Sequence, residues 1–224
     1  MVTRLFVVML VAIAATVPVL VPVAEAVLIS SLGSIGDPNE SNNASGPSTA
    51  TIVIPPHPAW APALPGSFWV SFASDSGQTG DPSAPGYFSP ANGTVIRFVD
   101  SFVLEAGPGY VGSLTVMADD STAVYLNGNL LLSEASSAGN TYTTCSDFPI
   151  GCLEITRATI DLSPFLQEGV NTLWFDVAQR NGASYGLDYA GEAAAVPEPG
   201  TMLLLGSGLI GVGAALRRRV SRGK

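Results

Sequence analysis

The side chains able to do chemistry in this 224-residue chain are few, and they are poorly arranged for catalysis. There is one histidine, His57, set between Pro56 and Pro58. Gly182-Ala-Ser-Tyr-Gly186 has the G-x-S-x-G spacing of a nucleophile elbow. An elbow needs a strand-to-helix turn and a histidine further along the chain, and here the histidine comes earlier and no helical pattern follows Ser184. Gly206-Ser-Gly-Leu-Ile-Gly211 spells G-x-G-x-x-G, but inside an apolar run with no βαβ unit around it. No carboxylate pair stands out for glycosidic chemistry. We therefore assign no catalytic residue and expect no enzyme.

Binding chemistry is better supplied. Trp60, Trp69, Tyr125, Trp174 and Tyr189 carry flat apolar faces on which sugar rings can stack, and the same area makes them equally suitable as core residues. Trp60 is the first candidate because it lies in the proline-rich stretch 55–65 rather than in a strand. Asp119 and Asp120 are candidate ligands for a glycan or a structural calcium, which binds through carboxylate oxygens. They equally suit capping the turn before Ala123, or facing water. No full oxygen cage can be read around them, so no cofactor is expected beyond that candidate calcium. Cys145 and Cys152 enclose six residues; in an exported chain they are expected to oxidise to a disulfide, worth about 2–3 kcal/mol on a chain-entropy estimate. Nothing supplies the two further ligands of a closed thiolate metal site.

The elements that must position these residues read as strands. Short hydrophobic stretches over 51–54, 67–73, 94–104, 113–117, 123–126, 129–132, 154–160, 171–177 and 184–189 alternate with Pro, Gly and Asn turns. Period-two alternation is clear in Leu114/Val116/Ala118 and Leu173/Phe175/Val177, as for strands with one face on a core. Residues 94–104 are apolar on both phases, which predicts burial on both faces. Asn127-Gly128 predicts a tight hairpin. Residues 161–169 read as one helical turn closed by glycine. No long amphipathic helix appears in this region, so the expected fold is all-β, an antiparallel β-sandwich.

Both ends of the chain carry topological signals. Arg4 precedes an apolar stretch that leads to Ala24-Glu25-Ala26, a small-x-small pattern expected for signal cleavage after Ala26. At the other end Pro197-Glu198-Pro199 precedes an uncharged run over 201–216, then Arg217, Arg218 and Arg219. That run is somewhat shorter than the roughly 20 residues of a usual membrane span, yet snorkelling arginines could fit it as a single transmembrane helix with a cytoplasmic basic stop. The expected organisation is a signal peptide over 1–26, a flexible arm over 27–50, a β-sandwich over 51–194 and a sorting tail over 195–224. Between the two ends stand three arginines and sixteen acids, a formal charge of −13. Such a surface repels nucleic acid.

Val196-Pro-Glu-Pro-Gly200, the Gly-rich apolar segment and Arg217–Arg219 together resemble the PEP-CTERM sorting signal of Gram-negative bacteria. That resemblance implies export through the Sec machinery and signal peptidase, then recognition by an exosortase, a membrane-embedded cysteine protease or transpeptidase. The tail would be removed near Pro197–Pro199 and the body transferred to the cell surface or an exopolysaccharide matrix. Residues 118–128 and 161–173 resemble the strand–hairpin and the later turn-and-strand of galactose-binding-like jelly-roll domains. Such domains often bind glycans and sometimes hold structural calcium. The reading is thus a non-catalytic surface or matrix protein with glycan adhesion. Its alternatives are a structural surface protein with no specific ligand and a secreted polysaccharide-acting hydrolase.

Overall fold

Alternation decides which face each strand buries. In β6 (Val95–Leu104), Ile96, Phe98, Phe102 and Leu104 are buried, while Ser101 and Val103 on the opposite phase face solvent. The same holds in β11 (Gly169–Ala178), where Leu173, Phe175 and Val177 point inward. These strands belong to a computed structural model that describes residues 25–37, 49–134, 150–180, 183–196, 206–208 and 210–211.

The remaining strands are β1 (Val27–Ser30), β2 (Ile35–Asp37), β3 (Thr49–Ala50), β4 (Ile52–Val53), β5 (Val70–Ser71), β7 (Tyr110–Asp119), β8 (Ser121–Leu126), β9 (Asn129–Leu132), β10 (Ala158–Asp161) and β12 (Gly186–Ala195). They form two antiparallel sheets. Sheet A has the order β10-β7-β12-β5-β4, with β1 also paired to β12; sheet B has the order β3-β2-β6-β11-β8-β9. The fold is the expected all-β sandwich. Phe98, Phe175, Leu114, Val124, Leu173, Leu187 and Tyr189 fill the space between the sheets, with Phe175 and Tyr189 stacked at 4.3 Å. The Tyr189 hydroxyl donates to Asp100 at 3.1 Å, which gives an acid on the core phase of β6 a partner. The β8–β9 hairpin turns on Asn127 and Gly128, both at positive φ, as an Asn-Gly type I′ turn requires.

Three expectations change. The arm over 27–50 begins as structure: β1 pairs with residues 190–193 of β12, and Ser31–Gly33 forms a 3-10 turn. Its serines suggested a loop, but Ser31 Oγ bonds the Phe68 carbonyl and Ser34 Oγ the Ser31 carbonyl, so polarity here closes a corner. Strand β6 buries one face, not two; Val103 on its other phase is 57% exposed. The stretch 154–160 is a strand only from Ala158, because 150–157 is a tight loop that leaves Ile155 exposed.

A further layer covers the outer face of sheet A. Trp60, Ala61, Leu64 and Trp69 pack on Met117, Ile54 and Cys152. Proline fixes much of this backbone in advance, and Gly186 leaves room for the ring, since a Cβ there would lie 2.8 Å from Trp60.

Candidate functional site

The cover on sheet A consumes the residues first expected to bind. Trp60 is 7% exposed, packs against Trp69 at 4.3 Å with the rings tilted by 34°, and donates its indole N–H to Asp119 Oδ2 at 2.7 Å. Proline richness signalled an exposed loop, but the segment folds back on the sheet and buries the ring. Asp119 and Asp120 are buried as well, and Asp120 Oδ2 accepts the Arg180 backbone amide at 2.6 Å. Among the described residues no cluster of three or more His, Cys, Asp or Glu side chains could hold a metal ion. Ser184 leads directly into β12, so the apparent elbow has no helix behind it. Trp69 and Tyr189 are core residues.

The outer face of sheet B is different. Register places Val99 of β6 opposite Trp174 of β11, Trp174 opposite Tyr125 of β8, and Tyr125 opposite Leu130 of β9. Directly paired residues share a face, so the four side chains make one apolar row across four strands. With strands about 4.8 Å apart, three gaps give the row a length of about 14 Å. Tyr125 and Trp174 sit 6.2 Å apart between centroids and are inclined at 48°. Val99, Trp174 and Tyr125 are half-buried, and Leu130 is exposed.

Polar groups line both sides of the row. On one side Arg97 and Asp176, cross-strand partners, form a bidentate pair, Nε to Oδ1 at 2.7 Å and Nη2 to Oδ2 at 2.8 Å. The Arg97 guanidinium also lies 5.0 Å over the Trp174 ring, so ion pair and aromatic hold each other in place. Arg180 pairs with Glu134 close by. Burial pushes the Glu134 carboxyl above its usual range, Arg180 opposes that shift, and the charge of Asp176 adds to it. On the other side of the row stand the hydroxyls of Ser101 and Thr172, again a registered pair. Of the three arginines of the acidic body, Arg97 thus lies directly against the aromatic pair.

Residues 195–219 match the PEP-CTERM protein-sorting motif. The motif is that of an exported surface protein processed by an exosortase in the membrane. Its Pro197, Glu198 and Pro199, the basic stop Arg217, Arg218 and Arg219, and most of the run over 201–216 lie outside the described residues, as do Ala24 and Cys145. Among the described residues no helix is long and apolar enough to cross a membrane. No curated protein matches the chain. Solved structures similar to it include a family 35 carbohydrate-binding module from Clostridium thermocellum, 12% identical, with 77% of this chain and all of that one covered at a TM-score of 0.40. Another is a GH26-CBM35 β-(1,4)-mannanase from Podospora anserina, 16% identical, covering 78% of this chain and 28% of that one at a TM-score of 0.37. Overlaps this low leave the fold to be read from the sheets themselves.

An aromatic row bordered by hydroxyls and a fixed guanidinium–carboxylate pair can stack the C–H faces of pyranose rings and hydrogen-bond their rims. Tyr125 and Trp174 were visible as candidates from their type alone. The Arg97–Asp176 pair was not, because its members lie 79 residues apart and meet only through the β6–β11 register.

Proposed function

We propose that this chain is an exported, non-catalytic surface protein, delivered by an exosortase and adhering to polysaccharide through the outer face of sheet B. The sorting motif over 195–219 supports the delivery. The observation that carries the adhesion is the Val99–Trp174–Tyr125–Leu130 row with Arg97–Asp176 beside it. Arg97 beside the row and Arg180 beyond it are already paired with acids, and the body is strongly acidic. The favoured ligand is therefore a neutral glycan and not a polyanionic one.

In this reading the Sec machinery exports the precursor and signal peptidase cuts after Ala26. The segment over 201–216 holds it in the membrane with Arg217–Arg219 inside, and the exosortase acts near Pro197–Pro199. The body then resides at the surface or in the exopolysaccharide matrix of a Gram-negative bacterium. Cys145 and Cys152 form a disulfide in that oxidising setting. Two facts support the pairing: Cys152 is fully buried, and no free cysteine occurs among the described residues.

Glycan-array binding of the mature protein, with and without calcium, tests the adhesion. Retention of neutral glycans is expected in both conditions, and Trp174→Ala should weaken it at least about tenfold, or about 1.4 kcal/mol. Retention of nothing by the wild type would favour a structural surface protein with no specific ligand. Turnover of a polysaccharide, abolished by one acid-to-amide change, would favour a hydrolase. Intact-mass measurement of the surface product tests the sorting: a species still carrying Arg217–Lys224 sinks the processing.

A further inference from the structure

The sorting motif and the folded body share residues. The motif match begins at Ala195, which is also the last residue of β12 and lies opposite Tyr110 of β7. One residue further on, the Val196 amide still donates to the Gly109 carbonyl at 2.8 Å. The next residue is Pro197. Only residues 197–200 separate this last sheet hydrogen bond from the apolar run, at most about 14 Å of extended chain. A protease takes its substrate as an extended segment running to both sides of the bond it cuts.

We infer that the form of this chain open to the exosortase is one in which residues 194–196 have peeled away from β7, so that their backbone adds extended length ahead of Pro197. The inference rests on the exosortase reading above. The end of β12 is built to open at low cost. Residues 193–195 are alanines, and Ala194, Ala195 and Val196 are only half-buried, so little apolar surface is lost. Opening breaks the pairings of Ala194 with Val111 and Ala195 with Tyr110, together with the Val196–Gly109 bond.

The fold also supplies a stop. Strand β1 pairs with residues 190–193 and no further, so beyond Ala193 the described pairings hold β12 from the β7 side alone. Ala193 is 1% exposed and held from both sides, by Gly112 and by Val27. Peeling that ends there frees residues 194–200, at most about 25 Å of extended chain in place of about 14 Å. The body itself stays folded while the membrane enzyme gains its substrate.

A cross-strand staple tests this. Tyr110→Cys with Ala195→Cys joins two registered partners and pins the end of β12 shut. The full chain is expressed in an exosortase-bearing host, and intact mass reports both the staple and the processing. The stapled chain is expected to be processed at least about tenfold more slowly, since local opening then gives way to global unfolding. A short Gly-Ser linker inserted between Val196 and Pro197 of the stapled chain should restore the rate. Processing of the stapled chain at the wild-type rate overturns the inference, and so does a defect the linker leaves in place. A wild-type chain that is never processed sinks the exosortase reading instead, and this inference with it.

Discussion

Asp188 accepts the Leu64 amide at 2.8 Å and the Ser67 hydroxyl at 2.5 Å, beneath the proline-rich cover of sheet A. Burial pushes its carboxyl above the usual range, and these donors pull part of the way back. Removing it leaves the Leu64 amide without an acceptor and the Ser67 hydroxyl with only the Leu64 carbonyl at 3.1 Å. Asp188→Ala should cost about 2–4 kcal/mol in urea unfolding, while Asp188→Asn, which keeps one oxygen, should cost about half as much. Trp60 belongs to the same cover, so Trp60→Phe is expected to lower stability by about 1–2 kcal/mol through its lost bond to Asp119, with glycan retention unchanged. Trp174 reverses that pattern. Its ring is half-buried on an outer face, so Trp174→Ala acts first on binding.

At the scale of elements, the cover seats on β12 through Gly186. Gly186→Ala brings a methyl group to 2.8 Å from the Trp60 ring and 3.3 Å from Ile54. The expected result is a loss of about 1–3 kcal/mol and of the near-ultraviolet circular dichroism of the Trp60–Trp69 pair. Intact dichroism would place the cover elsewhere in solution. Much of the sandwich could be read in advance, because Leu114/Val116/Ala118, Leu173/Phe175/Val177 and Asn127-Gly128 carry their periodicity and turn chemistry locally. The final half of β12 could not. Its Ala190–Ala195 stretch is rich in residues of low strand propensity and is held in extended form by β7 and β1. The site was legible only as a list of aromatics. Which of them face outward depends on register between distant strands, and local pattern does not encode register.

For the molecule as a whole, buried acids set the pH response. Asp100, Asp188 and Glu134 all titrate above their usual range, with burial as the main cause. The folded state therefore holds protons that the unfolded chain has released, so stability falls as pH rises from about 4, where an exposed Asp titrates, through their folded values. The excess of sixteen acids over three arginines pushes the same way through self-repulsion. Tyr185 and Tyr189 are raised well above the ordinary phenol range by burial, which brings a second decline above about pH 10 as the unfolded tyrosines ionise. The urea midpoint should thus be higher near pH 5 than near pH 8 and fall again in alkali; a midpoint that climbs from pH 5 to 8 contradicts this. The placement of the aromatic row and the exit strand in different sheets has a mechanical meaning. In the proposed reading sheet B grips the ligand, whereas β12 of sheet A leads to the tail. Tension between a held polysaccharide and a tethered C-terminus then crosses from one sheet to the other through the interleaved side chains around Phe175 and Tyr189, and through the connections at the sandwich ends. Backbone ladders resist shear within each sheet, so the apolar interior is the compliant layer. Adhesion under flow would yield there by slipping and could recover once the load is released.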